Sequence, residues 1–379
     1  MSFPITTEQE MIRLMAHDFS RKELEPFAAQ WDKSEHFPLE AVRKMGELGL
    51  LGMLVPFEYG GTAAGAVSYS LALQEIAYAC ASTAVTMSVT TLSQDPILKF
   101  GSEVQKQKYL APLARGEYLG AFAITEPGAG SDPGGMTMRA EAKGGYYLVN
   151  GTKVFITNGG YADVVILVAR TTPEKANRGL SAFIVEKGLP GFSIGHKEDK
   201  MGLRASNTVE LVFEDCRIPA ENILGREGLG FKIAMLALDS GRIGIASQSI
   251  GIARACLDEA LAYAKTRRQF GRAIGAFQAV QWMIADTATQ IEAARLLTLS
   301  AASLKDQGLP YTKEASMAKL FASEMCNQAA YKALQIHGGY GYMKEFKIER
   351  LYRDARVTAI YEGTSEIQRL VIAREVSGG

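Results

Sequence analysis

Tyr146-Tyr147-Leu148-Val149-Asn150-Gly151-Thr152-Lys153-Val154-Phe155-Ile156 carries the clearest signal of the fold. Its two apolar runs flank Asn150-Gly151, a pair that tolerates the positive φ values of a type I′ turn, so the sequence predicts a β-hairpin. Further strands are expected at Val164–Val168, Ser181–Val185 and Thr208–Phe213. Because no helical pattern separates these strands, residues 118–225 are predicted to form a middle β domain of barrel or sandwich type.

Both flanks of this region change to the 3.6-residue apolar spacing of helices. Pro38-Leu39-Glu40 opens a helix ending near Gly49, and Tyr69 to Thr90 is so apolar that it predicts a buried helix or helix pair. Ala276–Leu304 and Lys313–Ile336 are long alanine-rich helices of the kind that pack as a bundle. The predicted fold is an α+β multidomain protein, with an N-terminal helical domain at 1–117, the β domain, and a C-terminal four-helix bundle at 226–379.

Composition limits the function. The 379 residues contain 41 Lys and Arg against 41 Asp and Glu, so no net field attracts nucleic acid or an anionic membrane surface. No apolar run reaches membrane-spanning length, and a capped helix at Thr6–Glu10 leaves no basic leader. Four scattered cysteines predict buried thiols in a reducing compartment, and no Cys, His and carboxylate cluster has the spacing of metal ligands. We therefore expect a cytoplasmic protein without a metal site.

Ile360-Tyr361-Glu362-Gly363-Thr364-Ser365-Glu366-Ile367-Gln368 sets one carboxylate beside an aromatic ring and a glycine, just ahead of a helix. Thr364 or Ser365 can cap that helix, and Ser365 with Gln368 has the spacing of a capping box. Glu362 then lies on a turn, where partial desolvation raises its pKa and strengthens it as a base. The alternative is a surface glutamate at a helix N-terminus.

Three glycine-rich segments accompany this turn. Phe122 to Asp132 exposes consecutive backbone amides after Pro127, which suits a heterocycle or a phosphate, although an ordinary loop into the β domain is the alternative. Gly225 to Gly230 resembles a dinucleotide fingerprint, but it lacks the βαβ context and is interpreted as the loop opening the C-terminal helices. Gln335 to Tyr342 ends a long helix, where glycine is common in any case.

Taken together, these segments resemble the acyl-CoA dehydrogenase family of flavoproteins over essentially the whole chain. The matching motifs are Ala123 to Asp132, Lys153 to Asn158, Arg267 to Gln278, Gln335 to Asp354, and Tyr361-Glu362-Gly363-Thr364. The resemblance implies FAD between the β domain and the bundle, and a homotetramer built as a dimer of dimers.

The resemblance also assigns cofactor contacts. Thr125 is expected to bond the pyrimidine side of the flavin and Thr157 to lie near its N5, while Phe155 stands where the family often has tryptophan. Gln335 and Gly339 would come from a neighbouring subunit to the pyrophosphate and adenosine half. The full set of expected FAD contacts is Phe122, Ala123, Ile124, Thr125, Gly130, Ser131, Phe155, Ile156, Thr157, Arg267, Phe270, Phe277, Gln278, Gln335, Ile336, Gly338, Gly339, Thr364, Ser365 and Glu366.

The same resemblance implies the chemistry. Glu362 would remove the α proton of an acyl-CoA while the β hydrogen leaves as hydride to flavin N5, giving a trans-2-enoyl-CoA and electrons for an electron-transferring flavoprotein. Some relatives carry the base just before the arginine of Asp239-Ser240-Gly241-Arg242, and Gly241 at that position leaves Glu362 as the base. The expected substrate contacts are Ser131, Asp239, Arg242, Tyr361, Gly363 and Asp95.

The acyl group is less constrained. Lys197 to Gly202 and the chain length resemble short-chain members, which favours butyryl-like substrates. Asp95 could instead select a polar, branched or alicyclic acyl group or act as an additional base, or it could simply cap a helix that begins at Pro96. An acyl-CoA oxidase and a non-catalytic scaffold are the remaining alternatives.

Overall fold

The computed structural model describes residues 3–378. Helices form both ends of the chain and strands form the middle. The helices are α1 (Thr7–Phe19), α2 (Glu25–Ser34), α3 (Leu39–Glu47), α4 (Gly65–Ala79), α5 (Ala81–Phe100), α6 (Glu103–Ala114), α7 (Gly230–Thr266), α8 (Gln278–Asp306), α9 (Thr312–His337), α10 (Lys347–Arg356) and α11 (Ser365–Ser377). The strands are β1 (Gly120–Ala123), β2 (Arg139–Ala142), β3 (Tyr146–Thr157), β4 (Val164–Arg170), β5 (Leu180–Glu186), β6 (Phe192–Lys197), β7 (Thr208–Pro219), β8 (Arg268–Gln269) and β9 (Arg272–Ala273).

The predicted α, β, α layout is confirmed. Seven strands make one sheet in the order β1-β4-β2-β3-β7-β6, with β5 paired to the other side of β4. Strands β4 and β5 are buried along most of their length, because apolar residues fill both of their faces. One face packs on the N-terminal helices through a cluster that includes Leu92, Phe122 and Ile166, and the other forms the interior of the curled sheet.

The hairpin predicted at Asn150-Gly151 is wrong. Strand β3 runs straight through both residues and pairs with β7, and the pairing register shifts between Val149 and Gly151. The φ of Gly151 is 140°, so the glycine accommodates a bulge rather than a turn. The tight turn lies six residues earlier, at Gly144-Gly145, where Lys143 N donates to Tyr146 O at 2.8 Å between β2 and β3.

The predicted helix pair is confirmed, and its second member corrects one boundary. Helices α4 and α5 meet at Cys80, and nearly every residue of both is buried. Asp95 and Pro96 lie inside α5 instead of starting a new helix. Pro96 lacks an amide hydrogen but the helix continues through it to Phe100. The interpretation of Asp95 as a helix cap is therefore wrong.

The C-terminal helices surround the longest one. Helix α7 spans 37 residues and packs against α4, α5, α8 and α9 through a core rich in alanine and isoleucine. Small residues allow close approach, since a Cβ at Gly251 would lie 2.6 Å from the Cβ of Ala77 on α4. This packing brings the N-terminal half of α7 to α5 and to the turn ahead of α11. Among residues 3–378, none of the helices combines the length and apolar character needed to cross a membrane.

Candidate active site

The turn that carries Glu362 joins a short 3₁₀ segment, Val357–Ala359, to α11. Thr364 is the N-cap of that helix, and its Oγ1 accepts a hydrogen bond from Ile367 N at 3.4 Å. The capping box predicted for Ser365 and Gln368 is absent from the described residues. Instead, Gln368 Nε2 donates back to the carbonyls of Glu362 and Gly363 at 3.2 and 3.0 Å. The glutamine thus fixes the turn rather than the helix end.

Glu362 occupies a strained and shielded position. Its φ is 54° and that of Gly363 is 89°, so two successive residues adopt the left-handed region, which costs a non-glycine residue roughly 1–3 kcal/mol. The carboxylate oxygen Oε2 is closed off from solvent and has no hydrogen-bond partner among residues 3–378. Burial raises the pKa of Glu362 to about 7, against the lowering effect of Arg242 and Lys319. The expected rise in pKa is confirmed, and the alternative of a surface glutamate is wrong.

Helix α7 passes directly beside this carboxylate. A Cβ at Gly241 would stand 2.6 Å from Glu362 Oε2 and 3.2 Å from the side chain of Leu92 on α5. The absence of a side chain at position 241 therefore makes room for the Glu362 carboxylate. Glu362, Gly241 and Leu92 bring together the C-terminal turn, α7 and α5.

Two predicted substrate residues, Asp239 and Arg242, form a buried ion pair on the same turn of α7 as Gly241. Arg242 Nη1 donates to Asp239 Oδ1 at 2.5 Å and to Ser316 Oγ at 3.2 Å. Thr312 Oγ1 donates to the other oxygen of Asp239 at 2.6 Å. Arg242 Nε is buried without a hydrogen-bond partner in the described part of the chain. The Nε donor of Arg242 therefore remains unused. The charge of Arg242 lowers the pKa of Glu362.

Asp95 belongs to a second buried polar cluster. Its carboxylate is 4% exposed and lies 3.1 Å from Lys99 Nζ and 3.5 Å from Lys305 Nζ. Lys305 also donates to Ser240 Oγ, next to Gly241. Burial raises the pKa of Asp95, but the charges of Lys305 and Lys99 outweigh it and hold the pKa below its ordinary value. An ionised carboxylate between two lysines is a poor proton acceptor, which argues against the additional base.

The first predicted flavin segment leaves the sheet from β1. Phe122 and Ala123 are buried in that strand, Ile124 and Thr125 are half-buried, and Gly130 and Ser131 are exposed in the loop that follows. No side chain or backbone atom would contact a Cβ at Gly128 within 4 Å, so the loop is open. Val154 N donates to Thr125 O at 2.9 Å, which places Thr125 beside β3.

The end of β3 supplies the second segment. Phe155 is 64% exposed with a φ of 60°, while Ile156 is buried and Thr157 is half-buried. The structure therefore brings Thr125 together with Phe155 and Thr157 at one corner of the sheet. An exposed aromatic ring beside open backbone amides is a surface on which a planar heterocycle can stack.

A buried ion pair beneath this corner was missed from the sequence. Lys153 has no exposed surface and donates to Ile124 O and to Glu126 Oε1, both at 2.9 Å. Glu126 also accepts from the amides of Thr137 and Met138. Burial lowers the pKa of Lys153 to about 8, against the raising effect of Glu126. The pair holds the start of the glycine loop against β3, and alternation along β3 could have indicated that Lys153 points inward.

Asn158 is a second residue that the candidate site residues omitted. It is fully buried, and its Nδ2 donates to Thr86 O on α5 at 3.2 Å and to Gly120 O on β1 at 3.1 Å. Asn158 thereby joins both predicted flavin segments to α5, the helix whose Leu92 lies beside Gly241. Its φ of 66° is one that asparagine tolerates better than most residues.

The residues expected at the adenosine half lie at the other end of the C-terminal helices. A cavity of about 480 Å³ is lined by Arg267, Ile336, Gly338 and Gly339, among others. Gln335 precedes it on α9, whereas Phe270 is 92% exposed in the β8–β9 hairpin and stacks edge-on with Phe277, next to Gln278. Arg267 and Gly339 thus line one cavity within a single chain. The resemblance instead expects Gln335 and Gly339 to reach the cofactor from a neighbouring subunit, and that expectation stays a prediction.

The remaining positions are separate from these groups. Ser131 lies on the exposed loop after β1, and Glu366 is exposed on the first turn of α11. Tyr361 donates to Gln248 on α7, which fixes the residue before Glu362. Within residues 3–378, no three His, Cys, Asp or Glu side chains are arranged to hold a metal ion.

Comparison with known proteins agrees with this geometry. Family models for the acyl-CoA dehydrogenase N-terminal, middle and C-terminal domains match residues 6–117, 121–216 and 228–377. The chain belongs to the acyl-CoA dehydrogenase family. A short-chain specific acyl-CoA dehydrogenase of Clostridium acetobutylicum is 50% identical over 377 residues, which cover 99% of this chain and 100% of that one.

Two solved structures extend the comparison. Butyryl-CoA dehydrogenase from Megasphaera elsdenii has a TM-score of 0.97 and 45% identity and is covered completely in both directions. A chain in the structure of the electron transferring flavoprotein of Acidaminococcus fermentans has a TM-score of 0.98 and 48% identity, with 99% of each chain covered.

Membership fixes the reaction class and the cofactor. This acyl-CoA dehydrogenase is a flavoprotein oxidoreductase of fatty acid metabolism that acts on a CH–CH bond of an acyl-CoA, and FAD is its cofactor. The residues present fit that group. The open loop and the exposed ring of Phe155 suit the flavin, and the cavity beside Arg267 offers a guanidinium to phosphate oxygens.

Proposed function

We propose that this enzyme converts a short-chain acyl-CoA to the trans-2-enoyl-CoA, with Glu362 as the base that removes the α proton. One observation carries the proposal: Glu362 alone presents a shielded, unpartnered carboxylate oxygen at the junction of α5, α7 and the turn before α11, within the described residues. A pKa of about 7 is close to the value at which a general base works best near neutral pH.

The chain's own groups suit enolate formation. The amide N–H of Glu362 makes no hydrogen bond within residues 3–378, so it is available to the thioester carbonyl. A donor aimed at a developing oxyanion is worth roughly 3 kcal/mol in comparable sites. Arg242 and Lys319 add positive charge close to Glu362 and lower its pKa. Bound FAD would supply the acceptor for the β hydrogen, which leaves as hydride.

Similarity to butyryl-CoA dehydrogenase and to a short-chain specific enzyme supports a short acyl group. The cluster of Asp95, Lys305 and Ser240 supports a second candidate, a polar, branched or alicyclic acyl group, since buried charges one turn from Leu92 are costly in a purely aliphatic pocket. A panel of straight, branched, alicyclic and hydroxylated acyl-CoAs, assayed on wild type and Asp95→Ala, separates the two. An unchanged ranking would leave Asp95 a structural role only.

The remaining partners are proposals of the same kind. The similarity to a chain in an electron transferring flavoprotein structure supports that protein as the electron acceptor. Exposed aromatic side chains on the C-terminal helices, such as Trp282 at 63% and Tyr331 at 55%, support a homotetramer, a dimer of dimers. Four buried thiols support a reducing, cytoplasmic location.

Anaerobic bleaching of the yellow protein by the acyl-CoA panel tests the function directly. We expect rapid bleaching by the preferred substrate in wild type, and retained FAD without bleaching in Glu362→Gln. A variant that bleaches at the wild-type rate would refute the assignment of Glu362. Peroxide formed during aerobic turnover would indicate an oxidase, and a colourless protein that takes up no FAD would indicate a scaffold.

A further inference from the structure

Lys319 on α9 is the most completely enclosed lysine near the catalytic turn. Its side chain has no exposed surface, and its Nζ donates to the carbonyl oxygen of Gly363 at 2.7 Å. It makes no ion pair with any carboxylate in the described part of the chain. A buried ammonium with one backbone partner is costly unless nearby charge compensates for its desolvation.

The hydrogen bond to Gly363 does not by itself account for a buried charge. Gln368 Nε2 already donates to the same carbonyl at 3.0 Å and to the carbonyl of Glu362 at 3.2 Å. A neutral donor therefore satisfies this turn from the α11 side. What the lysine adds is a positive charge next to the residue that precedes Gly363.

The charges facing Lys319 come from every element around it. Among the charged groups, Glu362 on the turn raises the pKa of Lys319 most and Arg242 on α7 lowers it, while Glu324 on α9 and Glu366 on α11 raise it less. Arg242 is already paired with Asp239 at 2.5 Å. The ammonium of Lys319 is thus the cation near Glu362 that no carboxylate neutralises directly. The hydroxyls of Tyr361 and Tyr69 also lie close enough to sense the charge of Glu362.

We infer that Lys319 is a positioning residue for the dehydrogenation, holding the Gly363 carbonyl and stabilising the ionised form of Glu362 so that the base is ready at neutral pH. This inference rests on the proposed role of Glu362. Burial lowers the pKa of Lys319 to about 8, so the lysine keeps its proton at neutral pH. The carboxyl of Glu362 therefore ionises beside a positively charged side chain.

Three substitutions separate charge from hydrogen bonding. Lys319→Met removes both, Lys319→Gln keeps a donor without charge, and Lys319→Arg keeps both. Lys313→Met on the same helix is the matched control, because its ammonium is exposed and pairs only with Glu314 at 3.1 Å. The rate of anaerobic bleaching by butyryl-CoA is measured from pH 5.5 to 9 at saturating substrate, together with FAD content.

Loss of an opposite charge next to a carboxylate raises its pKa, and we expect a shift of about one unit here. The rise of the bleaching rate with pH should move upward by that amount in Lys319→Met and Lys319→Gln, and stay in place in Lys319→Arg and Lys313→Met. A uniform loss of rate with no shift in either neutral variant would overturn the inference. So would a Gln variant that matches wild type, because the hydrogen bond alone would then suffice.

A substrate-free measurement keeps the inference separate from the proposed function. The infrared carbonyl band of the protonated Glu362 carboxyl is titrated in wild type and Lys319→Gln, and assigned by its loss in Glu362→Gln. If wild type fails to bleach with any acyl-CoA, the proposed function fails, while the infrared titration still decides on Lys319. Coincident titration curves would overturn the inference, and if Lys319→Met does not fold, the Gln and Arg variants give the same decision.

Discussion

Replacing Glu362 by glutamine should stabilise the enzyme above neutral pH while it abolishes flavin reduction. Burial raises the pKa of Glu362 from 4.5 to about 7. At about 1.4 kcal/mol per pKa unit, keeping this carboxylate ionised in the folded state costs roughly 3 kcal/mol. The variant removes that cost and leaves the shape of the side chain nearly unchanged.

The sign of the pH dependence follows from the direction of the shift. Because the folded pKa lies above the unfolded one, the stability associated with protonated Glu362 is complete below pH 4.5 and is lost as the pH rises through about 7. Glu362→Gln lacks this loss. The difference in stability between variant and wild type should therefore open between these two pH values and remain constant at higher pH.

The assay is thermal unfolding followed by flavin fluorescence at pH 5 to 9. An unfolding entropy of about 2.1 cal/mol/K per residue over 379 residues converts 3 kcal/mol into a rise of roughly 4 °C. Glu375→Gln is the control, since that carboxylate is exposed on α11 and pairs with Arg374 at 3.1 Å. Flavin reduction should fall by at least about 10²- to 10⁴-fold. A variant less stable than wild type at pH 8, or a difference independent of pH, would refute the reasoning.

Three further substitutions test the supports of the site. Gly241→Ala should place a methyl group 2.6 Å from Glu362 Oε2 and displace that carboxylate. The bleaching rate should fall by about 10- to 100-fold, while the melting temperature stays unchanged. The control Gly145→Ala, with open space around the added methyl group, should change neither the rate nor the melting temperature. Lys153→Met leaves Glu126 as a buried charge without its ion-pair partner, which should destabilise the fold by about 3–5 kcal/mol. FAD should therefore be lost on gel filtration, whereas the surface variant Lys143→Met should keep FAD. Asn158→Gly keeps the left-handed backbone but removes the hydrogen bonds that Asn158 Nδ2 donates to the carbonyls of Thr86 and Gly120. Their loss should cost about 1–3 kcal/mol in denaturant unfolding, and equal stability would show that these contacts are dispensable.

Local sequence signals predicted the elements well where one physical cause dominated. The apolar run from Tyr69 to Thr90 could only be buried, and the strands at Val164, Ser181 and Thr208 follow from β-branched residues in short runs. The Asn150-Gly151 prediction failed because glycine serves a bulge as well as a turn, and pairing with β7 decided between them. Similarly, Asp95-Pro96 looks like a helix start, but ion pairs with Lys99 and Lys305 hold the aspartate in mid-helix.

The residues of the candidate site likewise differ in how well a local sequence signal predicts them. Glu362 was identifiable because its turn carries a glycine and a capping threonine in one short stretch. The residues that support the turn were not identifiable from the sequence. Lys319 lies 43 residues before Glu362, Gln368 six residues after it, and Gly241 121 residues before it, and only packing brings them together. The domain boundaries at 117/118 and 225/226 and the roles of the FAD residues stay predictions.

Helix α5 explains how such distant segments form one site. At Thr86 it accepts a hydrogen bond from Asn158, which also donates to Gly120 of β1, so its first half is fixed to the corner of the sheet where the flavin is proposed to bind. Two turns later Leu92 lies beside Gly241, which also adjoins the carboxylate of Glu362, and Asp95 forms an ion pair with Lys305 of α8. A rigid helix with 1.5 Å rise per residue sets the spacing between these contacts. Buried secondary structure therefore fixes the distance between Glu362, the proposed base, and the proposed flavin site. Mutations that loosen α5 should reduce the rate of flavin reduction more than they reduce binding of either ligand.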